Sequence, residues 1–154
     1  MTDISDFDEL DRRIIEQLST SSEGSFRQIA KDLGVHPTTL IQRVKNLTAR
    51  GVINGSRAKV DYMKLGFSYM GIVQIYIEGD IRSVQGLIKD IPEVVAAFDV
   101  TGDCDTIAWI ACKDRDEFSD TIKAIGAIDG VKKTNTSVVM NLVKDPSDFV
   151  PQIV

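Results

Sequence analysis

From Leu33 to Val60 the chain reads LGVHPTTLIQRVKNLTARGVINGSRAKV, a stretch of hydroxyls, amides and cations without one carboxylate. Its five basic residues are Arg43, Lys45, Arg50, Arg57 and Lys59. Thr38, Thr39, Gln42 and Asn46 fall at three- and four-residue spacing, so a helix would carry them on one side. Such groups exchange hydrogen bonds with base edges in a major groove, and Arg and Lys grip phosphates. A carboxylate among them would repel a duplex. The chain as a whole is acidic, with formal net charge −5 and a pI near 4.9. That charge is uneven: residues 1–60 hold 9 basic and 8 acidic side chains, the remainder 9 and 15. A basic but merely solvated surface helix is the plain alternative, and the elements around the stretch bear on the choice.

DFDELDRRIIEQLS predicts a first helix, with Leu10, Ile14, Ile15 and Leu18 at helical spacing and acids at its positive end. SFRQIAKDLG predicts a second. Ser25 and Gln28 stand at capping-box spacing, Phe26, Ile29, Ala30 and Leu33 form an inner face, and Gly34 ends it. A third starts at Pro37 with His36 as N-cap, buries Leu40, Ile41, Val44 and Leu47, and stops at Gly51. Two helices joined by a turn of a few residues make a helix-turn-helix unit. VINGSRAKV then predicts a strand, a turn at Asn54-Gly55 and a basic wing. The turn spacing, polar outer face and missing carboxylates together favour double-stranded DNA as partner.

LDRRIIEQLS, SFRQIAKDLGVHPTTLIQRVKNLTARGVI and the later KLG resemble the DNA-binding half of the Lrp/AsnC (leucine-responsive, feast-or-famine) transcription regulators. That family usually has Ser before the helix-starting Pro, where this chain has His36. Histidine is a poorer cap than Ser. Protonated it could reach a phosphate; neutral and partly packed it would not.

The C-terminal ninety residues contain two similar segments, one starting at Ile72 and one at Ile107. Each reads strand, helix, strand. Twice over, that is the ferredoxin-like pattern of four antiparallel strands with helices on one face. IVQIYI and IAWIAC scarcely alternate, so both faces of these strands are expected to be buried, the second against a partner's sheet. The fold class expected is α+β, a winged helix-turn-helix followed by a ferredoxin-like oligomerisation domain, to which the family resemblance adds ligand sensing. The boundaries expected are 1–54 for the DNA-binding domain, 55–66 for wing and linker, 67–145 for the ferredoxin-like domain and 146–154 for a tail. The partner copy implies a homodimer, or a tetramer or octamer built from it.

The resemblance continues through this half, spanning roughly residues 8–145, and makes it similar to the family's amino-acid-sensing module. It implies that VTGDCD, Val100 to Asp105, lines an effector site through Gly102, Asp103 and Asp105, with Thr134 and Thr136 nearby. Gly102 would admit backbone N–H groups to an α-carboxylate, and an Asp would pair an α-ammonium. Gly-Asp is equally ordinary turn chemistry, and both readings stay open.

Other classes fare worse. The single His lies in the DNA-binding half, and no nucleophile, base and orienting group assemble from spacing, so no enzyme and no catalytic residue is expected. Asp114, Asp116, Glu117 and Asp120 cluster at a helix start, where the dipole explains them. Cys104 and Cys112 are too few for a disulfide framework and complete no metal spacing, so neither metal nor cofactor is expected beyond an amino-acid effector. Apolar runs are short of the ~20 residues that span a bilayer, and the acidic N-terminus does not resemble a secretion signal. A cytoplasmic, sequence-specific transcription regulator is expected. An architectural DNA-packaging protein of the same fold is the alternative.

Overall fold

The computed structural model describes residues 7–20, 25–55 and 59–151. Two compact units form, one from residues up to Val60 together with those from Val143 on, the other from Asp61–Leu142. The first contains α1 (Glu9–Thr20), α2 (Phe26–Leu33) and α3 (Pro37–Ala49). Each start has a side chain serving an orphan N–H. Asp8 accepts from Asp11 N–H at 2.9 Å, Ser25 from Gln28 N–H at 3.3 Å, and His36 from Thr38 N–H at 3.4 Å. The box expected at Ser25 is only half made, because the Gln28 amide turns forward to Asp32 at 2.7 Å. Gly34 ends α2 at φ +70°, a left-handed setting that costs glycine nothing.

Ile14, Ile29, Leu40 and Leu47 are fully buried and build the core with Ile15, Ala30 and Leu33. Two expected core residues lie outside it, Phe26 at 45% and Ile41 at 39% exposure. Three short helices cover only a narrow stripe of one another, and Ile41 stands about 100° from Leu40 around the axis. The expected strand after α3 is also missing among the described residues, since 53–55 and 59–61 have no regular structure. The N–H groups of Val52 and Ile53 go back to Leu47 O, at 2.9 and 3.4 Å, so they make no ladder. Residues 56–58 of that segment lie outside the described residues.

The second unit runs β1 (Tyr69–Ile77), α4 (Ile81–Lys89), β2 (Val94–Asp99), β3 (Thr106–Cys112), α5 (Arg115–Gly126) and β4 (Val131–Val138). Its antiparallel sheet has the order β2-β3-β1-β4, the ferredoxin-like arrangement. Asp80 and Asp114 cap the two helices, and Glu117 reaches back to Lys113 N–H, so Asp114 and Glu117 at the α5 start are capping groups. Val73, Ile75, Ala108, Ile110 and Cys112 pack against Val84, Ile88, Phe118 and Ile125 from the helices. The pleat turns Ile72, Gln74, Tyr76, Ile107 and Trp109 to the other face, where Ile72 is 36% and the neighbouring Phe98 54% exposed.

Candidate nucleic-acid interface and effector loop

Helix α3 presents its polar residues on the outside. Thr38, Thr39, Gln42, Lys45 and Asn46 are exposed, and no acid stands in its first turn. Gln42 Nε2 donates to Asn46 Oδ1 at 3.1 Å, which joins the two amides along one face, four residues apart. His36 Nδ1 lies 2.8 Å from Thr38 Oγ1 and takes the Thr38 N–H, so its ring is turned to the helix start by the cap. Its imidazole is exposed.

The cations divide. Arg43 is half-buried, and its Nη1 donates to Asp8 Oδ2 at 2.5 Å and Asp11 Oδ1 at 3.1 Å, both of the α1 start. Asp8 is held below the ordinary aspartate range by the Asp11 N–H and then by Arg43, and Arg43 is raised by Asp8 and then Asp11. Arg50 ends α3, and its guanidinium sits 4.5 Å over the Phe7 ring. Lys59 is ion-paired with Asp148, within the 3-10 turn Pro146–Asp148, and that carboxylate raises its pKa. Any phosphate contact by Lys59 must break this pair first. Arg57 lies outside the described residues.

The effector candidates do not converge. Gly102, at φ +136°, turns the loop after β2. Asp103 Oδ2 accepts from Tyr76 OH at 3.4 Å, on the open face of the sheet. Burial, then the Asp103 charge, raise the Tyr76 phenol, and Lys133 Nζ stands 5.1 Å over its ring. Asp105 is committed to the backbone: its N–H donates to Ile75 O at 3.1 Å and its carboxylate accepts Ile77 N–H at 2.8 Å. Thr134 and Thr136 pair with Ile75 and Val73, so they share the helix-covered face, opposite Tyr76. A groove of about 500 Å³ follows β2 beside Gln85, Lys89 and Thr106, and none of the five candidates lines it. Among the described residues no group of three or more His, Cys, Asp or Glu could hold a metal.

Sequence reasoning missed three participants. Asp8 and Asp11 were legible only as helix-start acids, and the partner that gives them a second role is 35 and 32 residues away. Tyr76 looked like one more strand aromatic, and only strand register sets it beside Asp103 and Lys133.

A three-helix unit with a polar, carboxylate-free third helix, joined to a ferredoxin-like unit, defines a helix-turn-helix DNA-binding protein with a second domain. Residues 7–48 match the AsnC-type helix-turn-helix domain and residues 71–149 the Lrp/AsnC ligand binding domain. An uncharacterized HTH-type transcriptional regulator of Pyrococcus horikoshii is 38% identical over 147 residues, 95% of this chain and 99% of that protein. The HTH-type transcriptional regulator FL11 of the same organism is 30% identical over 143 residues, 92% of this chain and 95% of its own. The structure of Escherichia coli AsnC superposes with a TM-score of 0.81 at 27% identity, covering 90% of this chain and 95% of that one. A feast or famine regulatory protein of Mycobacterium tuberculosis, complexed with L-methionine, shares the fold with a TM-score of 0.85 at 19% identity, over 94% and 99% of the chains. The chain belongs to the Lrp/AsnC family of DNA-binding transcription regulators. No helix among the described residues is long and apolar enough to cross a membrane.

Proposed function

We propose that this regulator reads duplex DNA in the cytoplasm as a homodimer or larger assembly and responds to an amino acid. The exposed α3 face carries this reading, with Gln42 and Asn46 side by side on a helix that contains no carboxylate of its own. Thr38, Thr39, Gln42 and Asn46 contact base edges, and His36, Lys45, Arg50, Arg57 and Lys59 contact the backbone. Arg43 is engaged elsewhere, by Asp8 and Asp11. Two copies set their α3 helices in successive major grooves of a pseudo-palindromic site. The apolar open face of the sheet, with Ile72, Phe98, Ile107 and Trp109, supports pairing of two copies through that face.

The effector reading rests on Gly102, Asp103 and Tyr76 at one sheet end, and on the L-methionine complex of the Mycobacterium relative. Asp105 acts there as a scaffold for the loop. Thr134 and Thr136 contribute through strand β4 rather than from the Tyr76 face. Selection of bound duplexes from a random pool, with and without amino acids, tests both parts. A discrete consensus whose enrichment changes with one amino acid is expected; sequence-independent retention would favour the packaging alternative. Footprinting gives the same division, since separate protected sites mark a regulator and continuous coverage marks packaging.

A further inference from the structure

We propose that Arg43 is a positioning residue that sets the angle of α3 on the DNA through Asp8 and Asp11, and that it makes no phosphate contact. This rests on the proposal above that α3 enters the groove. Asp11 is only 7% exposed, and a buried carboxylate needs a cation or donors. Arg43 Nη1 supplies one, 3.1 Å away, while also holding Asp8 at 2.5 Å. Swinging the guanidinium out to a phosphate would abandon the buried Asp11. Asp8 does double duty, capping α1 through the Asp11 N–H and anchoring Arg43. The Arg50 guanidinium over Phe7 adds a second tie from the same short segment to the far end of α3. With the middle and the C-terminal end of α3 held to residues 7–11, the helix cannot roll freely about its axis. Gln42 precedes Arg43 by one residue, so any roll that breaks the Arg43 contact displaces the joined Gln42 and Asn46 amides from the bases they read.

Affinity of the full chain for its selected site and for a random duplex, each as a function of KCl concentration, tests the proposal. Arg43→Met and Asp8→Asn are compared with Lys45→Met and Gln42→Ala as controls. Asn caps a helix as well as Asp, so Asp8→Asn removes the anchor while keeping the cap. Expected for both test variants is a loss of about tenfold on the selected site, the size of one misplaced base contact. Random-duplex affinity and the log–log salt slope stay at their wild-type values, and Arg43→Lys recovers part of the loss. Circular dichroism melts confirm that binding is measured on folded protein; should Arg43→Met not fold, Asp8→Asn decides alone. The proposal is overturned if Arg43→Met lowers the salt slope by about 0.9 and weakens both duplexes equally, as loss of one phosphate contact would. It is overturned too if Asp8→Asn binds like wild type or tighter, or if the variants only lower Tm with the specificity ratio intact. Failure of the underlying placement of α3 looks different: Lys45→Met and Gln42→Ala would then leave all binding unchanged.

Discussion

Single residues in this chain take their roles from partners distant in sequence. Asp8 lies below the ordinary aspartate range because the Asp11 N–H and Arg43 favour its charged form. Its depressed folded value means the stability it contributes is present above the unfolded value of about 4 and is lost as pH falls through the lower folded one. The stability difference between wild type and Asp8→Asn, read by urea unfolding, should therefore be full at neutral pH and vanish in strong acid. Residues of the carboxylate-free segment divide by what they touch. Gln42→Ala should shift the preferred bases in a selection experiment, whereas Lys59→Ala should weaken selected and random duplexes alike and flatten the salt slope by about 0.9. Equal losses on both duplexes for the two variants would remove that division.

At the scale of the element, the start of α3 joins stability to recognition. His36 caps it with a long 3.4 Å bond, where Ser gives a better cap. His36→Ser should raise the unfolding free energy by a fraction of the ~1 kcal/mol a good cap contributes, yet weaken DNA binding if the imidazole meets the backbone. Thermal melts and binding isotherms on the same variant separate the two effects. Leu40, fully buried between helices, gives the opposite control. Leu40→Ala should cost about 2–5 kcal/mol through the cavity it leaves. The element boundaries were largely legible, because helical spacing, caps and Gly34 act within a few residues. The wing strand was not, since a strand needs a ladder partner and Val52 and Ile53 instead bond back to Leu47.

For the whole molecule, the proposed assembly rests on the sheet's open face. Ile72 and Phe98 are exposed there in the single chain, so aspartate at either position should leave the fold intact. Under the dimer proposal, Phe98→Asp should convert the assembly to monomer in sedimentation at micromolar concentration. An unchanged sedimentation coefficient would move the interface elsewhere. Calorimetry with the common amino acids probes the loop in the same way: Asp103→Asn should lose the heat of any ligand whose ammonium it pairs.

The sequence by itself determined the order of the helices and of the four sheet strands and the polar outer face of α3, because patterning and capping are local and period-bound. It marked the carboxylate-free segment, which charge alone made visible. Only the tertiary structure decided which cations on that segment are already engaged, Arg43 by Asp8 and Asp11 and Lys59 by Asp148. It also sorted the effector candidates, turning Asp103 to Tyr76, Asp105 to the Ile77 backbone, and Thr134 with Thr136 to the opposite face. The physical reason is the same in both cases. An ion pair, a hydrogen bond or a strand register joins residues 27 or more positions apart in these cases, and residue type records what a side chain can bind but not what the fold has placed against it.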